Sequence, residues 1–487
     1  MNYKEITYHN LNYKDLIIFL IPCLIFLYYL HVYNPGILTY DSFNQLHQIA
    51  ENNYNNWQPF FHTFIEMICI KIYPSPMTIC ILQIFTFSTV WMIICRYFRK
   101  QMQFKLQVIL TLLICLIPIN AVYSITLWKD ILFSYAMLFL CFLIKLIIDR
   151  KFEISLPLAL VLSSTMAFIS QIRPNGIYII LILLVILSIY FYKKNKPQKM
   201  FIIIPVATII IILLISSLSI VYDVEDTHKD AVFAKTSHLL ADYDLNLDLS
   251  ESDREKIHEM INESTIQSKY NIYFTDPIRD NANQEVWNNN KQTYISMAIN
   301  YSFKNPLHFI YYMFESADIV WDITRDDEWP GPVYYFNIHE NHIDENKNSF
   351  YSAINETAIE DFENVTGIND NTTEYKFVNL FVLGTSVVKV LDTLFESPAL
   401  YMYLAFIAMI AIFLITQSKS IFLVYLPNML NILTIFISTP TQDVRYLYPN
   451  LLVFYLLLLI LIGLYQKKEI SLKKIIKQTI NSYLKLN

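Results

Sequence analysis

The strongest constraint on this chain is a series of ten apolar windows, near 15–33, 77–98, 105–123, 131–148, 154–171, 176–192, 200–222, 398–416, 420–437 and 449–465. Each is long enough to cross a hydrocarbon core of about 30 Å as a helix. Lipid offers the backbone no hydrogen-bond partners, so a spanning segment is a helix or part of a closed barrel, and the period-2 alternation of a barrel is missing. With 55% hydrophobic residues and a mean hydropathy of +0.37, the expectation is an all-α polytopic membrane protein with about ten transmembrane helices.

Lys and Arg in the short loops set the expected orientation. Arg96, Arg99, Lys100 and Lys105 follow the second window, Arg150 and Lys151 the fourth, Lys193, Lys194, Lys196 and Lys199 the sixth, and Lys419 the eighth. These loops read as cytoplasmic, and the basic tail 466–487 joins them, so both termini are expected inside a plasma (cytoplasmic) membrane. The opposite loops hold few basic residues, which singles out Lys129, Arg173 and Arg445. The first window lacks a small-residue cleavage site and reads as a retained helix. Cys23, Cys69, Cys80, Cys95, Cys115 and Cys141 lie mostly in apolar windows without metal-like spacing and read as packing residues.

Four regions follow: a membrane module 1–222 whose first outer loop is 34–76, an acidic extracytoplasmic domain 223–397, C-terminal helices 398–465, and the tail. Residues 223–376 hold about 30 of the 42 acidic residues against about 11 basic ones. Helical patterns occur near 251–268 and 283–300, so a mixed or α domain is expected. Residues 304–322 are amphipathic and carry Glu315, Asp318 and Asp322, too many carboxylates for a spanning helix, so they read as interfacial. Residues 377–395 are apolar enough to cross but would break the parity of the loops, and also read as interfacial.

The first outer loop runs Pro35-Gly36-Ile37-Leu38-Thr39-Tyr40-Asp41-Ser42-Phe43-Asn44-Gln45 and then Trp57-Gln58-Pro59-Phe60-Phe61-His62-Thr63. A carboxylate just beyond a membrane helix can deprotonate an attacking hydroxyl as a general base; Asp41 could equally cap the polar helix 42–52. Residues 60–73 place Phe60, Phe61, Phe64, Ile65, Ile68 and Ile72 at helical spacing, the pattern of an in-plane amphipathic helix. Its His62 and Glu66 share one face at i, i+4, where they could contact substrate or ligate a metal.

Three other outer loops each carry a lone cation: Thr126-Leu127-Trp128-Lys129-Asp130, Gln171-Ile172-Arg173-Pro174-Asn175-Gly176, and Thr439-Pro440-Thr441-Gln442-Asp443-Val444-Arg445-Tyr446-Leu447-Tyr448-Pro449. Converging in one cleft, they would suit phosphate, which Arg grips with its fork and Lys as a point charge. The competing reading pairs each with a nearby carboxylate, Asp130 beside Lys129 and Asp443 beside Arg445.

Together Asp41, Trp57-Gln58-Pro59, Trp128-Lys129-Asp130, Arg173-Pro174-Asn175-Gly176 and Arg445-Tyr446-Leu447-Tyr448-Pro449 resemble the GT-C superfamily of polyprenyl-phosphate-sugar-dependent glycosyltransferases. The likeness is to a bacterial branch, distantly similar to protein O-mannosyltransferases and the aminoarabinose transferase of lipid A. It covers 1–222 well and 398–465 less well, and says almost nothing about 223–376. It implies a GT-C-like helix arrangement, Asp41 as catalytic base, and Lys129, Arg173 and Arg445 on the donor phosphate. Tyr40, Gln45, Trp57, His62, Trp128, Asp130, Asn175 and Tyr446 would contact substrate. The implied partners are a polyprenyl-phosphate sugar donor, a glycan, lipid or protein acceptor, and the bilayer; no nucleic acid is expected. Relatives often show His-Pro-Pro where this chain has Gln58-Pro59-Phe60, so the role of that His is lost or moves to His62. The first loop also lacks an Asp-X-Asp pair, so no cofactor and no obligatory metal are expected, though the reading tolerates a divalent cation. The competing classes are a flippase or exporter, and a polymerase or ligase of lipid-linked glycans. The windows are nearly free of charge, where a transporter would place polar groups near the midplane, and this favours the enzyme.

Overall fold

The computed structural model describes residues 12–193, 200–226, 231–323, 397–438 and 441–466. The side chain of Tyr40, the segment 377–395, the loop 194–199 and the tail beyond 466 lie outside the described residues. The helices of the first half are α1 Tyr13–Val32, α2 Tyr40–Glu51, α3 Phe60–Ile72, α4 Met77–Phe98, α5 Phe104–Leu116, α6 Pro118–Ser124, α7 Lys129–Asp149, α8 Leu156–Ile172, α9 Gly176–Lys193 and α10 Met200–Val221. A helical cap follows, α11 Ala231–Asn246, α12 Glu251–Met260, α13 Glu263–Lys269, α14 Asp276–Arg279, α15 Gln284–Lys304, α16 Pro306–Glu315 and α17 Asp318–Trp321. The chain closes with α18 Pro398–Thr416, α19 Ile421–Ser438, a 3-10 turn Val444–Leu447 and α20 Tyr448–Gln466. Among the described residues there is no strand, only three isolated bridges.

Seven helical segments are long and apolar enough to cross a membrane: Tyr13–Val32, Met77–Phe98, Lys129–Asp149, Ile202–Val221, Pro398–Thr416, Ile421–Ser438 and Val444–Gln466. This is an all-α, multi-pass membrane protein. The window 105–123 is not one straight helix, because α5 and α6 meet at 71°. Pro118 opens α6, and the residue before a proline is driven out of the helical region; Ile117 accordingly has ψ 115. Two further windows are occupied by the shorter apolar helices Leu156–Ile172 and Gly176–Tyr190.

The bundle is built around α7 and α20, each 72% buried across its apolar window, whereas Ile202–Val221 at the edge is 11% buried. The chain alternates direction. Asp15 meets Arg99 at 2.7 Å and Arg96 at 3.6 Å, Tyr97 bonds Asp149, and the Gln103 N–H donates to Gln466 Oε1 at 2.8 Å. The start of α1 and the ends of α4, α7 and α20 therefore share one end of the bundle, the end rich in basic residues. The loops before α2 and α7, after α8 and before α20 share the other.

Helix α3 departs from the expected in-plane anchor. It packs against α2, α4, α8 and α10, and its buried side carries the polar residues His62, Thr63 and Glu66, all fully buried, among Phe60, Met67, Cys69 and Ile70. Ile68 and Ile72 point outward instead. Lipid inverts the usual rule: an apolar surface is at home outside, and polar side chains gain by finding one another inside.

The cap has its own core, centred on Tyr243, Ile257, Ile266, Ile278, Trp287 and Tyr294. It docks on the end of the bundle opposite the basic one: Phe274 bridges Thr441, Asn55 bridges Glu225, and Gln442 Nε2 donates to the Glu315 carbonyl at 3.0 Å. Helix α16 leaves Leu307, Ile310, Tyr311 and Phe314 exposed, the face an interfacial helix would lay against headgroups.

All six native cysteines are buried, so single introduced cysteines report topology cleanly. With Glu255→Cys on the cap and Glu153→Cys at the basic end, an impermeant maleimide should label only the first in intact cells and both after permeabilisation. Labelling of Glu153→Cys in intact cells would contradict the orientation.

Candidate functional site

Gly36 has φ +126°, a conformation that suits glycine, and a Cβ there would lie 2.5 Å from Cys80 Sγ. The turn lets Ile37 pair with the strand-like segment before α7: its N–H donates to the Ile125 carbonyl at 2.8 Å and its carbonyl accepts from the Leu127 N–H at 3.1 Å. Trp128 Nε1 then donates to Thr39 Oγ1 at 2.8 Å, and Ser42 Oγ donates to the Leu127 carbonyl at 2.8 Å. These bonds fix the first turn of α2, which carries Asp41, beside the first turn of α7, which carries Lys129 and Asp130.

Arg445 joins this pair from the far end of the chain. Asp443 caps the 3-10 turn by accepting the Arg445 N–H at 3.0 Å, and its Oδ2 also lies 2.9 Å from Arg445 Nε. Arg445 Nη1 donates to Asp41 Oδ2 at 2.8 Å across 404 positions of sequence, and Nε lies 3.8 Å from Asp130. The guanidinium is stacked between Trp128, 4.6 Å from its ring centre, and Tyr446, 5.2 Å away. On the other side of Asp41, Gln58 acts as a bridge: its Nε2 donates to Asp41 Oδ1 at 2.9 Å and its Oε1 accepts from Lys129 Nζ.

Arg173 has a different place. Its Nε lies 3.0 Å from Asp130 Oδ1, its Nη1 donates to the Tyr446 carbonyl at 3.3 Å, and it stacks on Phe133 and Tyr446. Asp130 is wholly buried, whereas the Asp41 side chain is 20% exposed. Arg173 thus holds Asp130 and the 3-10 turn in register, while Asp41, Lys129 and Arg445 form the accessible side of the cluster. Asp41, Asp130 and Asp443 balance Lys129, Arg173 and Arg445, so the cations converge and are also paired: Asp443 with Arg445 as expected, but Asp130 with Arg173 and not with Lys129, which bonds Gln58.

Burial alone would raise the Asp41 carboxyl, but the Arg445 guanidinium and the Lys129 ammonium outweigh it and hold the group below the usual carboxylate range. Asp443 goes the other way: burial raises its carboxyl, and Arg445 offsets only part of the rise.

Of the other candidates, Trp128, Asp130 and Tyr446 belong to the cluster. Gln45 and His62 lie behind it, bonded to each other at 3.0 Å. Asn175 stands apart, donating to Asn431 Oδ1 at 3.1 Å and Thr434 Oγ1 at 2.9 Å. Trp57 faces the cap, with the Arg279 guanidinium 5.5 Å from its ring centre. Gln58 and Asp443, not counted among the expected site residues, are central to the observed one. Their signal was position, since Gln58 lies inside the Trp57-Gln58-Pro59 element and Asp443 stands two residues before Arg445. No group of three or more His, Cys, Asp or Glu suited to a metal occurs among the described residues. Comparison with protein-family models, curated proteins and solved structures finds no match to this chain.

Asp130→Asn leaves Arg173 without its carboxylate partner in a buried position. Breaking such a pair typically costs about 3–5 kcal/mol, so equilibrium unfolding in mild detergent should show a large loss of stability. An unchanged unfolding midpoint would refute the structural role given to this pair.

Proposed function

We propose that the chain is a membrane glycosyltransferase of GT-C-like arrangement. It moves a sugar from a polyprenyl-phosphate donor to an extracytoplasmic glycan, lipid or protein acceptor with inversion at the anomeric carbon. On this reading all ten windows cross the plasma membrane, with both termini inside and the cap outside. The observation that carries the proposal is the junction of Asp41 with Arg445 and Lys129 at the end of the bundle under the cap: an ionised, partly exposed carboxylate between two cations with donors to spare.

The proposed chemistry follows from those groups. Asp41 takes the acceptor's hydroxyl proton as the oxygen attacks the anomeric carbon. The bond from that carbon to the phosphate oxygen breaks, and the electron pair leaves on the lipid phosphate. Lys129 Nζ and Arg445 Nη2 are the donors that would stabilise that charge, since among the described residues Nη2 otherwise donates only to the Tyr446 hydroxyl, at 3.4 Å. Arg173 serves here as a positioning residue. An incoming phosphate would displace Asp443 from Arg445, and the raised proton affinity of Asp443 suits it to be the carboxylate that gives way. No metal or other cofactor enters this scheme.

The charge balance of the cluster also favours a second reading, a carrier of lipid-linked glycans in which these ion pairs exchange partners as the bundle opens. Flipping of a fluorescent lipid-linked glycan in proteoliposomes, without change in its mass, would support that reading against transfer.

Asp41→Asn should insert and fold normally while lowering sugar transfer by about 10²- to 10⁴-fold. Because the active form of Asp41 is ionised and its carboxyl is held low, activity should persist through the ordinary carboxylate range. It should fall only as pH drops through the depressed value. Full transfer by Asp41→Asn, or an acid limb above the ordinary carboxylate range, would contradict the assignment.

A further inference from the structure

Behind Asp41, the polar faces of α2 and α3 meet. Asp41 and Gln45 stand one turn apart on α2, and His62 and Glu66 one turn apart on α3, so the four form a row leading from the site into the bundle. Gln45 presents both ends of its amide to the imidazole: Nε2 is 3.0 Å and Oε1 3.2 Å from His62 Nδ1. That nitrogen can accept from the one or donate to the other without any side chain moving. Nε2 of Gln45 also donates to Thr63 Oγ1 at 2.9 Å. Glu66 Oε1 lies 3.5 Å from the same imidazole nitrogen.

Glu66 and His62 have no exposed surface. Neither Glu66 oxygen, nor His62 Nε2, has a hydrogen-bond partner among the described residues. A buried carboxylate in that position would be very unfavourable, and the usual escape is to neutralise it. The ionisable groups that act on this pair are Lys129 and Asp130 of α7, Asp41 of α2, Cys69 of α3 itself and Cys80 of α4. Helices α8 and α10, which also pack on α3, contain no charged residue. Burial pushes the Glu66 carboxyl well above its ordinary range, with Lys129 opposing only in part. Burial, assisted by Lys129, pushes His62 down to about 3.

A wholly enclosed site has no room for a sugar or a phosphate, and a metal would need more ligands than this pair offers. We infer that Glu66, with His62 beside it, is a buried proton-binding site coupled through Lys129 to the anion site. The coupling, though not the proton site itself, rests on Lys129 holding the donor phosphate. Among the described residues, Lys129 is the positive charge that favours ionised Glu66. An anion bound to Lys129 cancels that field and makes the protonated carboxyl more favourable. By reciprocity, protonated Glu66 favours the anion. The affinity for a polyprenyl phosphate therefore falls as pH rises through the titration of Glu66, by about 5- to 10-fold, the lower end of the range usual for such couplings.

The test uses the full chain in lipid nanodiscs and two readouts. Infrared spectroscopy should show the carbonyl band of a protonated carboxyl at neutral pH, absent in Glu66→Gln and persisting to higher pH in Lys129→Gln. Glutamine mimics the neutral carboxyl in size and charge, so that variant should fold. A wild-type band that is missing, or one that survives in Glu66→Gln, would overturn the proton site. Binding of a polyprenyl phosphate is then followed against pH. Wild type should lose affinity beyond whatever Glu66→Gln shows, the variant recording the ligand's own ionisation. Identical pH dependence in the two overturns the coupling. If the infrared results are as expected but the lipid phosphate binds at no pH, the transferase reading fails and the proton site stands.

Discussion

Arg445 is the contact on which the rest of the site depends. One guanidinium meets Asp41 and Asp443, approaches Asp130, and is held between Trp128 and Tyr446. It thereby ties the first outer loop to the start of the last helix, with α7 between them. A charge so enclosed is tolerable only with opposite charges and good geometry around it, and the fold supplies both. The loop turn at Gly36, the pairing of Ile37 with 125–127, and the 3-10 turn capped by Asp443 bring the partners to one point.

Much of this was legible in the sequence, and the limits have physical causes. Hydropathy located the helices because lipid imposes length and composition on anything that crosses it. The break at Ile117 was written as Pro118, but a proline marks a bend without giving its angle. The convergence of Lys129, Arg173 and Arg445 was foreseeable from their rarity in the opposite loops. Their division of labour was not, because Arg173 and Arg445 look alike in sequence and differ only in which carboxylate lies nearer. Arg173 is taken up by Asp130, and Arg445 is shared with the partly exposed Asp41.

Helix α3 shows the same limit from another side. The 3.6-residue pattern put His62 and Glu66 on one face and Ile68 and Ile72 on the other, as observed, but Phe60, expected with the isoleucines, is buried with the polar residues. Which face turns inward depends on the surroundings. Between α2, α4, α8 and α10 His62, Thr63 and Glu66 go in, while Ile68 and Ile72 go out. The site is therefore two-layered: an accessible side of Asp41, Lys129 and Arg445 under the cap, its charge balanced only with Asp130, Asp443 and Arg173, and a protonatable layer of Gln45, His62 and Glu66 beneath it. Lys129 acts electrostatically on both.

The central claim, that this cluster receives a lipid phosphate, is tested most directly by a structure of the protein in nanodiscs containing a polyprenyl phosphate. The phosphate is expected between Lys129 Nζ and Arg445 Nη2, with Asp443 moved off Arg445 and the Arg173 pair to Asp130 intact. A lipid phosphate bound elsewhere, with the contacts of Arg445 to Asp41 and Asp443 unchanged, would contradict it.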